Sequence, residues 1–226
     1  MAAESVVLGQ DVWKTYGSGE TAVHALRGIS VDIRRGEMVA VMGPSGSGKT
    51  TFLNCFSGLD DVSKGRVLIG GTDVHAMADA QRSAFRARQS GFVFQAYNLL
   101  PVLNAAENVE MPLLIAGVRP KEARARATDM LGRLGLSERT TFRPAELSGG
   151  QQQRVSLARA LVANPAIVWA DEPTGNLDEE GSHEVIALLR QLNLDHHQTM
   201  VVVTHDPGVA AGCDRTLRMR DGRFVD

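Results

Sequence analysis

The chain has 226 residues, of which 43% are hydrophobic and 22% charged, a composition that predicts a single globular domain over 1–226. Its 24 Lys and Arg residues against 26 Asp and Glu residues give a net charge of −2, which argues against nucleic acid as a partner because nucleic-acid binders carry a basic excess. No apolar run approaches the roughly 18–20 residues of a bilayer span and the N-terminus lacks a signal-peptide pattern, so we expect a soluble, cytoplasmic chain.

The predicted elements alternate between strands and helices. In the first part of the chain we expect strands over 5–12, 29–33 and 38–42, a helix over 50–57 and a hairpin of 65–69 with 72–74. In the later part we expect helices over 79–88, 120–134, 149–163 and 181–193, strands over 166–170 and 200–204, and a short β-pair near 217–225. This alternation predicts an α/β fold with a parallel sheet covered on both faces.

A glycine-rich loop follows the third predicted strand and opens the first predicted helix. Its glycines allow successive backbone N–H groups to point at a phosphate, and the helix N-terminus adds partial positive charge. We expect Lys49 to contact the β- and γ-phosphates and the Thr50 hydroxyl to bind Mg²⁺. The predicted nucleotide-binding residues of this phosphate loop are Gly43, Ser45, Gly46, Ser47, Gly48, Lys49, Thr50 and Thr51.

An acidic pair, Asp171-Glu172, follows the apolar run 166–170. The carboxyl end of this predicted strand should lie beside the phosphate loop. We predict that Asp171 holds Mg²⁺ through water and that Glu172 accepts a proton from the attacking water. By itself an acidic pair after a strand is more often a surface turn, and it is the loop upstream that favours the catalytic interpretation.

The stretch Leu147-Ser148-Gly149-Gly150-Gln151 lies between these two motifs. Ser148 is a suitable N-cap for the helical pattern that follows, so free N–H groups would face an anion. The three motifs in this order resemble the ATP-binding-cassette (ABC) ATPases, over essentially the whole chain. The resemblance implies a P-loop NTPase fold of the α/β class, with a mixed, largely parallel core sheet, an antiparallel β subdomain and an α-helical subdomain at about 96–163.

The same resemblance implies ATP and Mg²⁺ as cofactors, and a homodimer that closes around two ATP molecules. In that dimer the signature residues of one copy, Ser148, Gly149, Gly150 and Gln151, would reach the nucleotide held by the other copy. Gln95 is similar to the family's glutamine that contacts Mg²⁺ and the lytic water, and His205 to its switch histidine. Asp178 matches the loop at the dimer seam, and Tyr16 the aromatic residue that stacks on adenine, although Trp13 is a competing candidate. The predicted catalytic residues are therefore Glu172, His205, Gln95 and Lys49.

Further segments resemble one branch of the family, the branch of lipoprotein release and macrolide export. These segments are Gly19-Glu20-Thr21, Ala25-Leu26-Arg27-Gly28, Asn98-Leu99-Leu100-Pro101, Glu107-Asn108-Val109 and Ala170 through Asp178. The resemblance implies a motor subunit for an integral membrane permease with few spans, held on the inner face of the cell membrane. One departure is Phe142-Arg143-Pro144, where a His is common before Arg-Pro. A force-transmitting cell-division complex and a soluble ABC ATPase without a permease stay open as alternatives.

Overall fold

The structure, a computed structural model, describes residues 4–225. Its strands are β1 (Ser5–Tyr16), β2 (Val23–Arg34), β3 (Met38–Met42), β4 (Lys64–Ile69), β5 (Thr72–Asp73), β6 (Ser90–Phe94), β7 (Ile167–Asp171), β8 (Thr199–Thr204), β9 (Arg215–Arg220) and β10 (Arg223–Val225). Its helices are α1 (Lys49–Phe56), α2 (Asp79–Gln89), α3 (Ala105–Ile115), α4 (Pro120–Arg133), α5 (Gly149–Leu161), α6 (Glu179–His196) and α7 (Pro207–Ala211).

A six-stranded sheet in the order β10-β9-β3-β8-β7-β6 forms the centre of the molecule. All neighbouring strands pair in parallel except β10, which is antiparallel to β9. The register aligns Met42 with Thr204, and Asp171 with Val203, so the carboxyl ends of β3, β7 and β8 share one edge. That edge is where the chain leaves for the phosphate loop, the acidic pair and His205.

The two faces of the central sheet pack against different layers. Because successive strand residues point to opposite faces, Trp169 and Val201 are buried against α1 and the second sheet, while Val168 and Met200 are buried against the helices. This double burial explains why β3, β7 and β8 are continuous apolar runs in the sequence. The α/β class and the mixed, largely parallel core sheet are confirmed.

The second sheet is antiparallel, in the order β2-β1-β4-β5, which confirms the antiparallel β part of the prediction. Its first two strands are longer than predicted, since β1 continues to Tyr16 and β2 begins at Val23. Their register shifts between Gly9 and Val12 and again near Lys14. Each shift interrupts the period-2 alternation, and for that reason the sequence pattern ended β1 too early and began β2 too late.

The helices on the other face include one that the sequence analysis did not predict. α3 contains Pro112 and has little amphipathic periodicity, but it begins with a capping box in which Asn104 and Glu107 bond each other's backbone N–H at 2.8 and 2.9 Å. The short α7 was also not predicted, and α6 extends beyond both predicted bounds of 181 and 193. Within residues 4–225 no helix is both long and apolar enough to cross a membrane.

Candidate active site

The backbone of β2 and of the β9–β10 turn packs so closely against the phosphate loop that only glycine fits there. Gly48 has φ of 103°, and a Cβ there would lie 2.5 Å from the Ala25 carbonyl oxygen. The turn between β9 and β10 closes the same side, because the Gly222 N–H donates to the Ser47 carbonyl at 3.0 Å. The loop is thereby wedged between β2 and the β9–β10 turn, with α1 starting directly at Lys49.

An open cavity of about 860 Å³ lies over this loop. It brings together most of the residues predicted to bind or hydrolyse the nucleotide, namely Gly43, Ser45, Gly46, Gly48, Lys49, Thr50, Thr51, Asp171, Glu172 and His205. The Lys49 ammonium lies inside the loop and donates to the Gly43 and Pro44 carbonyls at 2.7 and 3.0 Å. Ser47 is buried beneath the loop, and its Oγ has no hydrogen-bond partner within the described part of the chain.

These features fit a nucleoside triphosphate. The Lys49 ammonium and the N-terminus of α1 converge on one wall of the cavity, and cationic and backbone N–H donors are what phosphate oxygens need.

The acidic pair stands at the end of β7 and differs in environment between its two members. Burial raises the pKa of Asp171, the neighbouring Glu172 raises it further, and Lys49 lowers it. Glu172 has φ of 47°, a left-handed conformation that costs a non-glycine residue about 1–3 kcal/mol. Its N–H donates to the Val203 carbonyl at 2.9 Å, so the turn is tied to β8.

The Glu172 carboxylate is held by the residues that end β8. One oxygen lies 2.9 Å from Nδ1 of His205, and the other accepts from the Thr204 hydroxyl at 3.2 Å. The His205 side chain is 73% exposed, whereas that of Glu172 is 17% exposed. Both groups face the cavity, so a carboxylate able to accept a proton and an imidazole able to donate or accept one lie side by side above the phosphate loop.

The oxygen ligands needed for Mg²⁺ also meet here, since the Thr50 hydroxyl and the Asp171 carboxylate line the same cavity. Among residues 4–225 no group of three or more His, Cys, Asp or Glu side chains is arranged to hold a metal ion. Mg²⁺ commonly binds through one or two protein oxygens together with substrate phosphates and water. The two protein donors therefore fit Mg²⁺ that arrives with a nucleotide.

The signature residues lie outside this cavity. Ser148 caps α5: its Oγ accepts from Gln151 N at 3.3 Å, and its own N–H donates to Gln151 Oε1 at 3.1 Å. A Cβ on Gly149 would lie 3.0 Å from the Tyr97 hydroxyl and 3.4 Å from Leu177. The helix start is thus built next to the loop that precedes α6, and neither Ser148, Gly149, Gly150 nor Gln151 lines the cavity.

Gln95 contacts the loop 172–178 and Asp178 is its last residue, and neither side chain lines the cavity. The Asn176 side chain donates to the Gln95 carbonyl at 2.9 Å, and Gln95 Nε2 lies 3.4 Å from Asn176 Oδ1. Gly175 gives Gln95 its room, because a Cβ there would lie 2.7 Å from Gln95 Nε2. Asp178 caps α6 by accepting from Gly181 N at 2.9 Å.

The two aromatic candidates stand on β1. Tyr16 ends the strand, is 42% exposed and pairs in register with Val23, which lines the cavity. Trp13 donates its indole N–H to Asp11 at 2.7 Å.

Several cavity residues were missed by the sequence analysis. His24, Ala25 and Arg27 reach the cavity from β2, and Asp221 and Gly222 from the β9–β10 turn. None of these residues stands in a nucleotide motif. Only the pairing of distant strands brings them to the loop.

The family model described as ABC transporter matches residues 26–175. The lipoprotein-releasing system ATP-binding protein LolD of Geobacter metallireducens is 49% identical over 215 residues, which cover 95% of this chain and 96% of that protein. The macrolide export ATP-binding/permease protein MacB of Marinobacter nauticus is 48% identical over 226 residues, which cover 100% of this chain and 35% of that protein. The chain thus spans about a third of the length of this MacB and nearly all of LolD.

Solved structures agree with the sequence relatives. The ATP-binding cassette MJ0796, solved as a dimer in a post-hydrolysis state with ADP and Pi, has a TM-score of 0.89 and 41% identity, and the match covers 97% of each chain. With the phosphate loop, the acidic pair and His205 gathered around one cavity, and with a matching family model over most of its length, this chain belongs to the ABC transporter family as an ATP-hydrolysing ATP-binding cassette.

Proposed function

We propose that two copies of this chain close head to tail around two ATP molecules and so drive a separate membrane permease. The observation that carries the proposal is the split of the functional residues between two surfaces. Lys49, Glu172 and His205 line the cavity, whereas Ser148 caps a helix outside it. A second copy would bring its Ser148 and the free N–H groups of its α5 onto the phosphate held by the first.

In the closed site, each protein group has one task. Lys49 and the loop N–H groups neutralise the charge of the phosphates. Glu172, whose carboxylate is held by His205 and Thr204, accepts a proton from the attacking water. Mg²⁺, held by Thr50 and Asp171 with Gln95 joining on closure, would neutralise the charge that develops on the transferred phosphoryl group. Loss of the γ-phosphate removes the group that bridges the two copies, and they separate.

The proposed partner is a permease with few membrane spans, and the proposed work is export or extraction of lipoproteins or lipid anchors. The near full-length match to a protein named for lipoprotein release supports this partner. The match to the ATP-binding part of a macrolide exporter, in which ATPase and permease share one chain, supports the same coupling. The chain would then lie on the inner face of the cell membrane through its permease.

Subunit mixing tests the composite site. Subunits with Lys49→Ala are mixed with subunits with Ser148→Arg, and phosphate release is measured. Each heterodimer keeps one complete site, built from the normal loop of one copy and the normal signature of the other. We expect the mixture to hydrolyse ATP faster than either variant alone.

The matched control mixes Lys49→Ala with Glu172→Gln. Both changes lie in the half-site of the cavity, so each heterodimer then has a defect in both of its sites and hydrolysis should not recover. If the first mixture recovers no more than the control, the composite site is wrong.

A further inference from the structure

A group of charged side chains surrounds Tyr16 at the end of β1. The Tyr16 hydroxyl donates to Asp60 Oδ2 at 2.7 Å, and the Lys14 ammonium donates to Asp60 Oδ1 at 2.7 Å. Lys14 also donates to the Asp61 carbonyl at 2.7 Å. The Lys14 side chain is only 11% exposed, so its ammonium is confined between these partners. One Asp60 oxygen is therefore held by Lys14, and the other accepts from the Tyr16 hydroxyl.

The same lysine occupies one face of the ring. Its ammonium lies 4.7 Å from the ring centroid, a cation–π distance. Tyr16 nevertheless remains 42% exposed, so the surface available to a ligand is the part of the ring away from Lys14. A planar aromatic ligand could stack there, where an offset arrangement of two π systems is favoured.

The ring stands at the rim of the nucleotide cavity. Val23, its register partner on β2, lines that cavity. Burial and Asp60 together raise the pKa of Tyr16 to about 12, so the hydroxyl stays protonated and keeps donating. The ring is thus tied through Asp60 to the segment between α1 and β4.

We propose that Asp60 is a positioning residue for ATP binding: with Lys14 it holds the Tyr16 ring in the orientation that receives the adenine base. This inference rests on the proposed function, in which Tyr16 stacks on adenine. A tyrosine on a free surface loses side-chain entropy when a ligand fixes it, and the bonds to Asp60 and Lys14 remove that cost before ATP arrives. Asp60 bonds the tyrosine and does not line the nucleotide cavity.

A second group of one aspartate, one lysine and one aromatic residue lies on the same sheet and provides a comparison. Asp11 accepts from the Trp13 indole at 2.7 Å and from Lys64 at 2.8 Å, and Lys64 lies 5.8 Å from the indole centroid. Neither ring lines the cavity itself, and each pairs in register with a cavity residue of β2, Tyr16 with Val23 and Trp13 with Arg27. The two rings differ in exposure, since Trp13 is half-buried and Tyr16, at the end of the strand, is 42% exposed. A carboxylate that only stabilises the sheet should behave like Asp11, whereas a positioning residue for ATP should not.

Steady-state hydrolysis by the full chain tests the role of Asp60. In Asp60→Ala the hydroxyl of Tyr16 loses its acceptor, and we expect the KM for ATP to rise about three- to tenfold, the equivalent of one hydrogen bond. The kcat should stay unchanged because the phosphate end of the site is untouched. Tyr16→Phe should reproduce this rise, and the double variant should be no worse than either single one. Asp60→Asn keeps an acceptor oxygen and should restore most of the affinity.

The matched control is Asp11→Ala, for which we expect the wild-type KM. An unchanged KM in both Asp60→Ala and Tyr16→Phe would overturn the positioning role while leaving the proposed ATPase intact. An equal rise in Asp11→Ala would overturn it as well, by showing a general effect of the sheet or stacking on Trp13. Should Asp60→Ala fail to fold, Tyr16→Phe still decides, since it retains the ring. Failure of the wild-type chain to hydrolyse ATP would overturn the proposed function and this role together.

Discussion

Glu172 shows at the scale of one residue how the backbone aims a side chain. Its φ of 47° is one of a small set of left-handed conformations at non-glycine residues in residues 4–225, and Asp221, another of them at 49°, also lines the cavity. The Glu172 N–H is held by β8, and its carboxylate by Thr204 and His205. The strained turn is therefore fixed from both sides, and the carboxylate cannot relax away from the phosphate loop.

Glu172→Gln should abolish most turnover without abolishing ATP binding. The amide is nearly the same size but cannot accept the proton from water, and loss of a positioned base typically lowers the rate 10²–10⁴-fold. Phosphate release measures the rate, and a fluorescent ATP analogue measures binding. Glu180→Gln, an exposed change in the first turn of α6, is the control and should hydrolyse ATP normally. Wild-type turnover in Glu172→Gln would contradict the assignment of the base.

At the scale of one element, α5 links the signature to the segment that follows Gln95. Its first turn is capped by Ser148, and near its other end the Arg159 guanidinium donates to the carbonyl oxygens of Tyr97 and Asn98. These two residues are consecutive and both left-handed, with φ of 60° and 49°. Burial lowers the pKa of Arg159. Within residues 4–225 its guanidinium donates to these two carbonyl oxygens and forms no ion pair with a carboxylate. A helix thus supplies the donors that a strained turn requires.

Arg159→Ala should therefore destabilise the fold. The turn loses two hydrogen bonds from a half-buried charged donor, and we expect the free energy of unfolding to fall by about 2–3 kcal/mol. Urea denaturation followed by circular dichroism measures this loss.

The matched control on the same helix is Arg154→Ala. Arg154 pairs with Glu184 at 2.7 Å, with the two side chains 29% and 55% exposed. A solvated ion pair contributes about 0–1 kcal/mol, so the control should lose less. Equal losses in the two variants would show that Arg159 does not hold the turn.

At the scale of the whole molecule, the parallel sheet gathers the chemistry at one edge. The phosphate loop follows β3, the acidic pair ends β7 and His205 follows β8, and these strands are neighbours in the sheet. The signature, in contrast, begins a helix on the other side of the loop 172–178. In the proposed dimer each copy contributes half of each site, and this is the physical reason to expect assembly with a second copy.

Glu172→Gln in ATP and Mg²⁺ should retain its membrane partner best, because slow hydrolysis keeps the two copies closed. Native membranes are extracted with detergent and this variant is captured by affinity. The proteins that co-purify with it are then identified and quantified. We expect a stoichiometric membrane protein with few spans. The double variant with Ser148→Arg, which cannot close, serves as the control and should capture less. Recovery of soluble partners alone would contradict coupling to a permease.

Local patterns determined a large part of this protein. Several features depend on only a few consecutive residues: the phosphate loop, the capping box of Ser148 with Gln151, and the apolar run before Asp171. The fold class follows from the alternation of predicted strands and helices. α3 was missed although Asn104 and Glu107 form the same kind of local cap, because its apolar residues do not keep a helical period around Pro112.

The tertiary structure alone decided which of these parts meet. His24 and Asp221 reach the cavity because β2 and the β9–β10 turn close around the loop, and no pattern near either residue indicates it. Tyr16 likewise bonds Asp60 across 44 positions of the chain, a contact between two segments that are distant in sequence. A helix cap or a glycine loop is a property of neighbours in sequence, whereas a cavity wall is a property of strand order, and strand order is set by packing over the whole chain.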